Sequence, residues 1–344
     1  MTPIRVVLIG LGNMGRHHLR AITEDERFQL VAVVDPEVLS LPHRESSIPV
    51  FKKLEDLGAM PYEAAVVASP TTTHKSLVSQ LLDLSKHVLV EKPAASSLEE
   101  ARFLVGKAES NKLHLAVGHI ERCNPVVDAL AQVLAKGVLG TPVHVAANRC
   151  GAYPRSISPG NHVFLDLAVH ELDVMARLFD HLEVKDGFYH CLQEDRTPDV
   201  AEVRLGFAGG GQATVHVNWL TPQKMRTLRV TGTDGVCELD YIAQSLRVYS
   251  HSLSPHLDLL ATKYHLEEHP FCQLARIEVP AGEPIKRQLS EFYQLVTGGE
   301  HSLCTGRGIL DSLRLLDDCF EKAQTSLSPS ELSRLKGENL HLYN

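Results

Sequence analysis

Features that would set this chain apart from ordinary globular proteins are scarce. Its 344 residues contain no apolar run approaching the roughly 18 uncharged residues of a membrane span, and the N-terminus lacks the long apolar core of a signal peptide. The seven cysteines are scattered without a CxxC pair, which argues against a zinc ribbon or a disulfide framework. We therefore expect a cytoplasmic protein with no membrane partner.

Basic residues are in the minority. The 34 Lys and Arg residues against 42 Asp and Glu give a formal net charge of -8, and both signs are spread along the chain. The basic excess of a nucleic-acid binder is missing, so we expect no nucleic-acid partner. The length exceeds what one hydrophobic core usually serves, which favours two domains.

A glycine-rich turn follows the first predicted strand. Residues 4–9 form a β-branched apolar run, and a helical pattern extends from about Met14 toward Ile22. The turn between them reads Gly10-Leu11-Gly12-Asn13-Met14-Gly15, the GxGxxG spacing that lets a pyrophosphate approach a helix N-terminus. The spacing predicts a dinucleotide site at Gly10, Gly12, Asn13, Met14 and Gly15.

An acidic residue ends the second predicted strand, residues 28–34. Asp35 lies 20 residues after Gly15, where a carboxylate would bind the adenosine ribose hydroxyls. Because such a carboxylate repels a 2'-phosphate, NAD is favoured over NADP, although Arg44 lies close in sequence. The alternative interpretation of Asp35, which precedes Pro36, is a simple turn former.

Strands and helices continue to alternate through the first third of the chain. Strands are predicted at residues 64–68, 87–90 and 113–117, and helices at 73–84 and 98–110. This alternation is typical of a doubly wound parallel sheet. The fold class is therefore α/β, with a Rossmann domain over residues 1–120.

Three further motifs carry a family resemblance. They are Ala68-Ser69-Pro70-Thr71-Thr72-Thr73-His74, then Glu91-Lys92-Pro93 after a predicted strand, and Asp166-Leu167-Ala168-Val169-His170. Together with the glycine turn, they make residues 4–325 resemble the glucose-fructose oxidoreductase and inositol dehydrogenase family (Gfo/Idh/MocA). The resemblance implies a second α/β domain, residues 121–325, built on a large, open, mainly antiparallel sheet that commonly supports a homo-oligomer. A polar C-terminal tail, residues 326–344, would follow.

Strand-like runs in the second half agree with this expectation. They lie at residues 143–149, 201–207, 211–220, 225–231 and 236–241, and an amphipathic helix closes the domain at 306–323.

The resemblance also implies the site. Dinucleotide contacts are expected from Ser69, Pro70, Thr71, His74, Glu91 and Lys92, in addition to the glycine turn and Asp35. Lys92, Asp166 and His170 would be catalytic, with His170 the acid/base and Lys92 polarising the substrate oxygen over the nicotinamide. Asp166 and His170 are four residues apart, so a helix would place them on one side.

More modest roles exist for these residues. Asp166 could be a helix cap, and His170 is one of 19 histidines. Glu171 and Asp173 could suggest a metal cluster, but HExxH spacing is missing and both fit a solvated helix face, so we expect no metal.

Three segments carry a finer resemblance within the family: residues 118–125, 166–173 and 218–226. With them the sequence resembles the nucleotide-sugar branch, especially UDP-N-acetylglucosamine 3-dehydrogenases. The implied reaction is NAD-dependent oxidation of the sugar 3-hydroxyl to a keto group, and the substrate pyrophosphate would need cationic or polar partners. Candidates are Arg149, Tyr153, Arg155, Lys224 and Arg226, with His119 and Glu121 near the cleft. Alternatively, the charges serve solubility or a subunit contact. Trp219, the only tryptophan, fits a core or interface position better than a base-stacking one.

Two other functions compete with this one. A neutral polyol or free-sugar dehydrogenase would have no use for a pyrophosphate clamp. A non-catalytic regulator that senses NAD would not need Lys92, Asp166 and His170 together.

Overall fold

The computed structural model describes residues 2–38, 40–41, 47–154, 161–192, 197–251 and 255–325. Arg44, Arg155 and the expected tail at 326–344 lie outside these residues. The chain forms two units. The first contains the residues up to Asn124 together with Gly282–Leu313, and the second contains Pro125–Ala281 with the described residues from Arg314 on.

The first unit begins as the alternation predicts. Its elements are β1 (Ile4–Ile9), α1 (Asn13–Thr23), β2 (Phe28–Val34), β3 (Val50–Phe51), β4 (Ala64–Val67), α2 (Thr71–Asp83), β5 (His87–Glu91), α3 (Leu98–Ser110) and β6 (Leu115–Gly118). The strands are parallel in the order β6-β5-β4-β1-β2-β3, so the predicted Rossmann-type sheet is confirmed.

Both faces of this sheet are buried. Val6 and Leu8 of β1 pack into one apolar cluster, whereas Val7 and Ile9 pack into another. Successive side chains of a strand point to opposite faces, so a continuous apolar run is what a strand covered on both sides requires. The ends of the strands, rather than their faces, are therefore left to bind ligands.

The second unit is built on a different sheet. Its elements are α4 (Pro125–Ala135), β7 (Pro142–Cys150), a π-helical turn (Phe164–Ala168), α5 (Val169–Leu178), β8 (Glu183–His190), β9 (Val200–Phe207), β10 (Gly211–Asn218), β11 (Met225–Gly232), β12 (Val236–Asp240), β13 (Ser245–Ser250), β14 (Tyr264–Glu267) and β15 (Gln273–Ile277). Apolar residues on one side of the sheet pack against α4 and α5.

Four elements complete the two units. They are α6 (Pro284–Thr297), β16 (Cys304–Thr305), α7 (Arg307–Lys322) and β17 (Ala323–Thr325). Among the residues that the structure describes, the second sheet has ten strands in the order β14-β15-β13-β12-β11-β7-β10-β9-β8-β17. Most pairs are antiparallel, and β10–β7 and β17–β8 are parallel, so the expected mainly antiparallel sheet is confirmed.

The segment Gly282–Leu313 corrects the domain boundary expected from the sequence. It returns to the first unit instead of remaining in the second. Strand β16 pairs antiparallel with β6 at the sheet edge, and Leu289 and Phe292 of α6 join the core that contains Leu19 of α1. The edge of a sheet and the apolar face of a helix can be covered by a segment that is distant in sequence. The order of the elements along the chain does not show which segment covers them. Among the described helices, none is both long and apolar enough to cross a membrane.

Candidate functional site

A cleft of about 1000 Å³ opens in the first unit where β1, β2, β4 and β5 end. Of the residues predicted to hold a dinucleotide, it is lined by Gly10, Gly12, Met14, Asp35, Ser69, Pro70, Glu91 and Lys92. Its wall also contains Lys52, Lys53, Thr72 and Thr73, which the sequence reasoning missed. Asn13, Gly15, Thr71 and His74 were predicted as contacts but are not part of the lining.

The three glycines of the turn do different things. Gly10 has a φ of +91°, and a Cβ there would lie 2.6 Å from the backbone nitrogen of Ser69. A Cβ on Gly15 would lie 2.1 Å from the carbonyl oxygen of Gly10, so Gly15 allows the helix to pack under the turn. Apart from its neighbours in the chain, Gly12 has no described atom within 4 Å of its Cβ position, which faces open space at the cleft.

Helix α1 begins at this open position. No described side chain caps it at Gly12, and its first turn contains no acidic residue. The unpaired amides and positive dipole end of a helix favour an anion. The glycine turn therefore fits the diphosphate of a dinucleotide.

Asp35 joins the glycine turn to the loop after β2. Its Oδ2 accepts the amide of Leu11 at 2.7 Å, and its Oδ1 accepts the amides of Glu37 at 2.9 Å and Val38 at 3.1 Å. Asp35 lines the cleft and is 9% exposed. Asp35 thus holds the local backbone in place while remaining in a position to accept a ribose hydroxyl.

Lys92 is half-buried on the turn after β5. The preceding carboxylate, Glu91, lies with Oε1 2.7 Å from Nε2 of His18 on α1, and its Oε2 accepts the amide of Lys92 at 3.3 Å. The sequence did not predict a functional role for His18. Its only sequence signal is its place three residues beyond the last glycine of the turn.

His74 lies behind the cleft. Its Nδ1 is 2.9 Å from the carbonyl oxygen of Pro93, and its Nε2 is 2.9 Å from that of Ser69. Burial lowers the pKa of His74, while the two carbonyls and the charge of Glu91 act in the opposite direction. The geometry favours a supporting role for His74 under the loop, in place of the direct coenzyme contact predicted.

His119 and Glu121 follow β6 and are buried, 4% and 6% exposed. The ring nitrogen Nε2 of His119 lies 3.4 Å from the hydroxyl of Ser312, and Glu121 accepts the side-chain amide of Asn124 at 3.1 Å.

Asp166 and His170 lie on either side of a helix junction in the second unit. Asp166 is in the π-helical turn, and His170 is the second residue of α5, both half-buried. The indole nitrogen of Trp219 donates to Oδ2 of Asp166 at 3.3 Å. Trp219 is 2% exposed, which confirms its expected core position. Single π turns inside helices occur frequently at functional sites, and the sequence pattern did not reveal this one.

The residue after His170 belongs to a buried ion pair. Glu171 is 0% exposed, and its Oε1 accepts Nε of Arg149 at 2.5 Å while its Oε2 accepts the hydroxyl of Tyr241 at 3.0 Å. The Arg149 guanidinium also lies 5.3 Å from the centre of the Tyr241 ring. The expectation that Glu171 and Asp173 face solvent is wrong, because both are buried, Asp173 at 1%.

Arg149 is 1% exposed, so its guanidinium serves the core of the second unit, which argues against the predicted pyrophosphate contact. Other substrate candidates remain nearer the surface. Lys224 is exposed, and Arg226 is half-buried beside Arg149 in the strand register. Tyr153 places its ring edge-on to Trp219, with centroids 5.5 Å apart.

Both parts of the chain match models of a known protein family. Residues 4–119 match the family model for the NAD-binding Rossmann fold of the Gfo/Idh/MocA oxidoreductases. Residues 127–238 match the model for the C-terminal domain of the same family. The chain belongs to the Gfo/Idh/MocA family of oxidoreductases. One match lies in each unit, and together they confirm the resemblance carried by the glycine turn and the EKP and DxxxH motifs.

Relatives of this Gfo/Idh/MocA oxidoreductase include enzymes with different substrates. It is 26% identical over 250 residues to UDP-N-acetylglucosamine 3-dehydrogenase of Acidithiobacillus ferrooxidans, covering 72% of this chain and 78% of the relative. It is 31% identical over 228 residues to inositol 2-dehydrogenase of Rubrobacter xylanophilus, covering 62% and 65%. The solved structure of the Acidithiobacillus enzyme superimposes with a TM-score of 0.77 at 22% identity, over 94% of this chain and 98% of that one, which establishes the shared fold.

Proposed function

We propose that this oxidoreductase uses NAD to oxidise the 3-hydroxyl of a UDP-linked sugar, UDP-N-acetylglucosamine, to a ketone. The observation that carries the proposal is that Lys92 lines the same cleft as the glycine turn and Asp35. An ammonium group beside a dinucleotide site provides the charge that stabilises a developing alkoxide.

The chain's own residues would divide the work. Lys92 stabilises negative charge on the substrate oxygen, and the imidazole of His170 takes the hydroxyl proton. Asp166 has one oxygen bonded to the Trp219 indole, which holds its carboxylate in a fixed orientation for the sugar or for His170. Bound NAD supplies the hydride acceptor.

NAD is the proposed coenzyme because of charge at the cleft. Asp35 and Glu37 both line it, and Asp35 is held in place by three backbone amides. Two carboxylates repel a 2'-phosphate. Lys52 and Lys53 line the same cleft and act in the opposite direction, so the coenzyme assay must include NADP.

The UDP-sugar is supported by the 26%-identical relative that acts on UDP-N-acetylglucosamine. We propose Lys224, Arg226 and Tyr153 as the diphosphate and sugar contacts and leave out Arg149 because of its burial. The likeness to an inositol 2-dehydrogenase favours a second candidate, a polyol dehydrogenase. The loss of Arg149 from the predicted clamp favours the same alternative.

A substrate panel tests the proposal. The protein is incubated with NAD or NADP and with UDP-N-acetylglucosamine, other UDP-sugars or free polyols, and NADH absorbance and product mass are followed. The expected result is NAD-dependent loss of two hydrogens from the UDP-sugar, and a fall of about 10²-fold or more in kcat for Lys92→Ala and His170→Ala. Oxidation of polyols alone would reject the UDP-sugar, and NAD binding without any turnover would indicate a sensor.

A further inference from the structure

Two buried histidines flank the turn that carries Lys92. His18 on α1 and His74 on α2 are each 1% exposed. His18 contacts the side chain of Glu91, the residue before Lys92, and His74 contacts the carbonyl of Pro93, the residue after it. The turn is therefore contacted by an imidazole on each side of the lysine.

The contact at Glu91 is enclosed. Glu91 is 7% exposed, and a Cβ on Gly118 would lie 3.1 Å from its Oε1 and 3.4 Å from Nε2 of the fully buried Gln288. The carboxyl group thus occupies space that any side chain at position 118 would fill. A buried carboxylate needs a hydrogen-bonding partner, and His18 supplies a donor at 2.7 Å.

Each histidine also joins the turn to a coenzyme-binding segment. Helix α1 begins at the glycine turn, and the second contact of His74 is the carbonyl of Ser69, which lines the cleft. The two histidines consequently connect the turn Glu91-Lys92-Pro93 (the lysine turn) to the glycine turn and to the loop that contains Ser69, both of which line the dinucleotide site.

We infer that His18 and His74 are positioning residues that hold Lys92 in register with the bound dinucleotide, His18 through Glu91 and His74 through the Pro93 carbonyl. The inference rests on the proposed role of Lys92. A displacement of about 1 Å in a catalytic group can cost on the order of 10²-fold in rate. Release of either contact should therefore lower kcat while leaving the coenzyme site itself largely intact.

Amide substitutions separate the individual contacts. The side-chain nitrogen of Gln reproduces the Nε2 position of His, and that of Asn reproduces Nδ1. His18→Gln keeps a donor for Glu91, whereas His18→Leu removes it. His74→Asn keeps a donor at the Nδ1 position that faces the Pro93 carbonyl, whereas His74→Gln keeps one only at the Nε2 position that faces the Ser69 carbonyl.

The kinetic test compares these pairs. We expect kcat to fall by about 10- to 100-fold for His18→Leu and His74→Gln, with KM for NAD changed by less than about threefold, and to stay within about fivefold of the starting protein for His18→Gln and His74→Asn. His87→Gln is the matched control. It makes the same His-to-Gln change on the same strand, β5, but at its first residue, His87, whereas Glu91 is its last. Equal activity within each pair, or loss of activity that follows loss of NAD binding, would overturn the inference.

A second measurement needs no substrate. Lysines are reductively methylated with ¹³C, and the Lys92 resonance is assigned by its absence in Lys92→Arg. The resonance should shift in His18→Leu and His74→Gln and stay in place in His18→Gln, His74→Asn and His87→Gln. An unchanged resonance in all variants refutes the positioning role even if the enzyme oxidises the proposed sugar. A shifted resonance in a protein without turnover on any sugar would refute the proposed function alone.

Discussion

Removal of the Arg149 guanidinium should destabilise the second unit and leave substrate binding by surface residues unaffected. In Arg149→Met, the carboxylate of Glu171 stays at 0% exposure with the Tyr241 hydroxyl but without its 2.5 Å cationic partner. Breaking a buried ion pair on one side costs about 3–5 kcal/mol. In a unit of about 150–250 residues, 1 kcal/mol moves the Tm by about 2–4 °C, so we expect a drop of roughly 6–20 °C.

The chain contains a convenient reporter for this change. Trp219 is the only tryptophan and is 2% exposed in the core of the second unit, so its fluorescence follows the unfolding of that unit. Thermal unfolding is recorded for Arg149→Met, for Glu171→Leu and for the double variant. The double variant should recover most of the lost Tm, because it leaves no unpaired buried charge.

The opposite result would refute this reasoning. If Arg149→Met kept the original Tm and raised only the KM for the sugar substrate, Arg149 would be a substrate ligand, as the sequence first predicted. A double variant no more stable than the single ones would show that packing around the guanidinium, and not its charge, is what the unit requires.

Three further predictions concern the two units. Asp35→Ala should raise the KM for NAD by about tenfold or more and increase the ratio of NADP to NAD efficiency, which coenzyme kinetics would measure; an unchanged ratio contradicts the ribose role. Gly12→Ala should keep its Tm and lose dinucleotide affinity by calorimetry, whereas Gly15→Ala, whose Cβ would meet the Gly10 carbonyl at 2.1 Å, should lose about 1–3 kcal/mol of stability. Burial lowers the pKa of His162 to about 4, so unfolding below pH 6.5 takes up a proton. The second unit should then lose at most roughly 3 kcal/mol as pH falls from 6.5 to 4, and His162→Gln should show a flatter Tm profile by Trp219 fluorescence.

Local signals predicted the first unit well. The bounds of β1 and β2 agree with the apolar runs at residues 4–9 and 28–34, because a strand buried on both faces needs a continuous apolar sequence. The glycine turn could also be predicted from the sequence, because its conformation and close contacts require residues without a Cβ at fixed spacing. By contrast, the short β16 and the helix α6 contain no signal that assigns them to the first unit.

The candidate site divides in the same way. Asp35 was found because it follows a strand whose carboxyl end lies at the ligand-binding edge of a parallel sheet, and Lys92 was found because its EKP motif resembles that of the family. His18 was missed because its partner Glu91 lies 73 residues away, and no sequence pattern around either residue predicts the contact between them. Arg149 and Glu171 were misjudged for a related reason. Charged residues are usually exposed, and only the fold shows that these two are paired in the core.

The sequence by itself determined the α/β class, the dinucleotide turn and the family, because these depend on glycine spacing, hydrophobic periodicity and short motifs in which neighbours along the chain act together. Tertiary structure decided which polar residues remain available for chemistry. Burial and pairing are set by residues that are distant in sequence, so Arg149 becomes part of a core, while His18 and His74 come to flank the lysine turn.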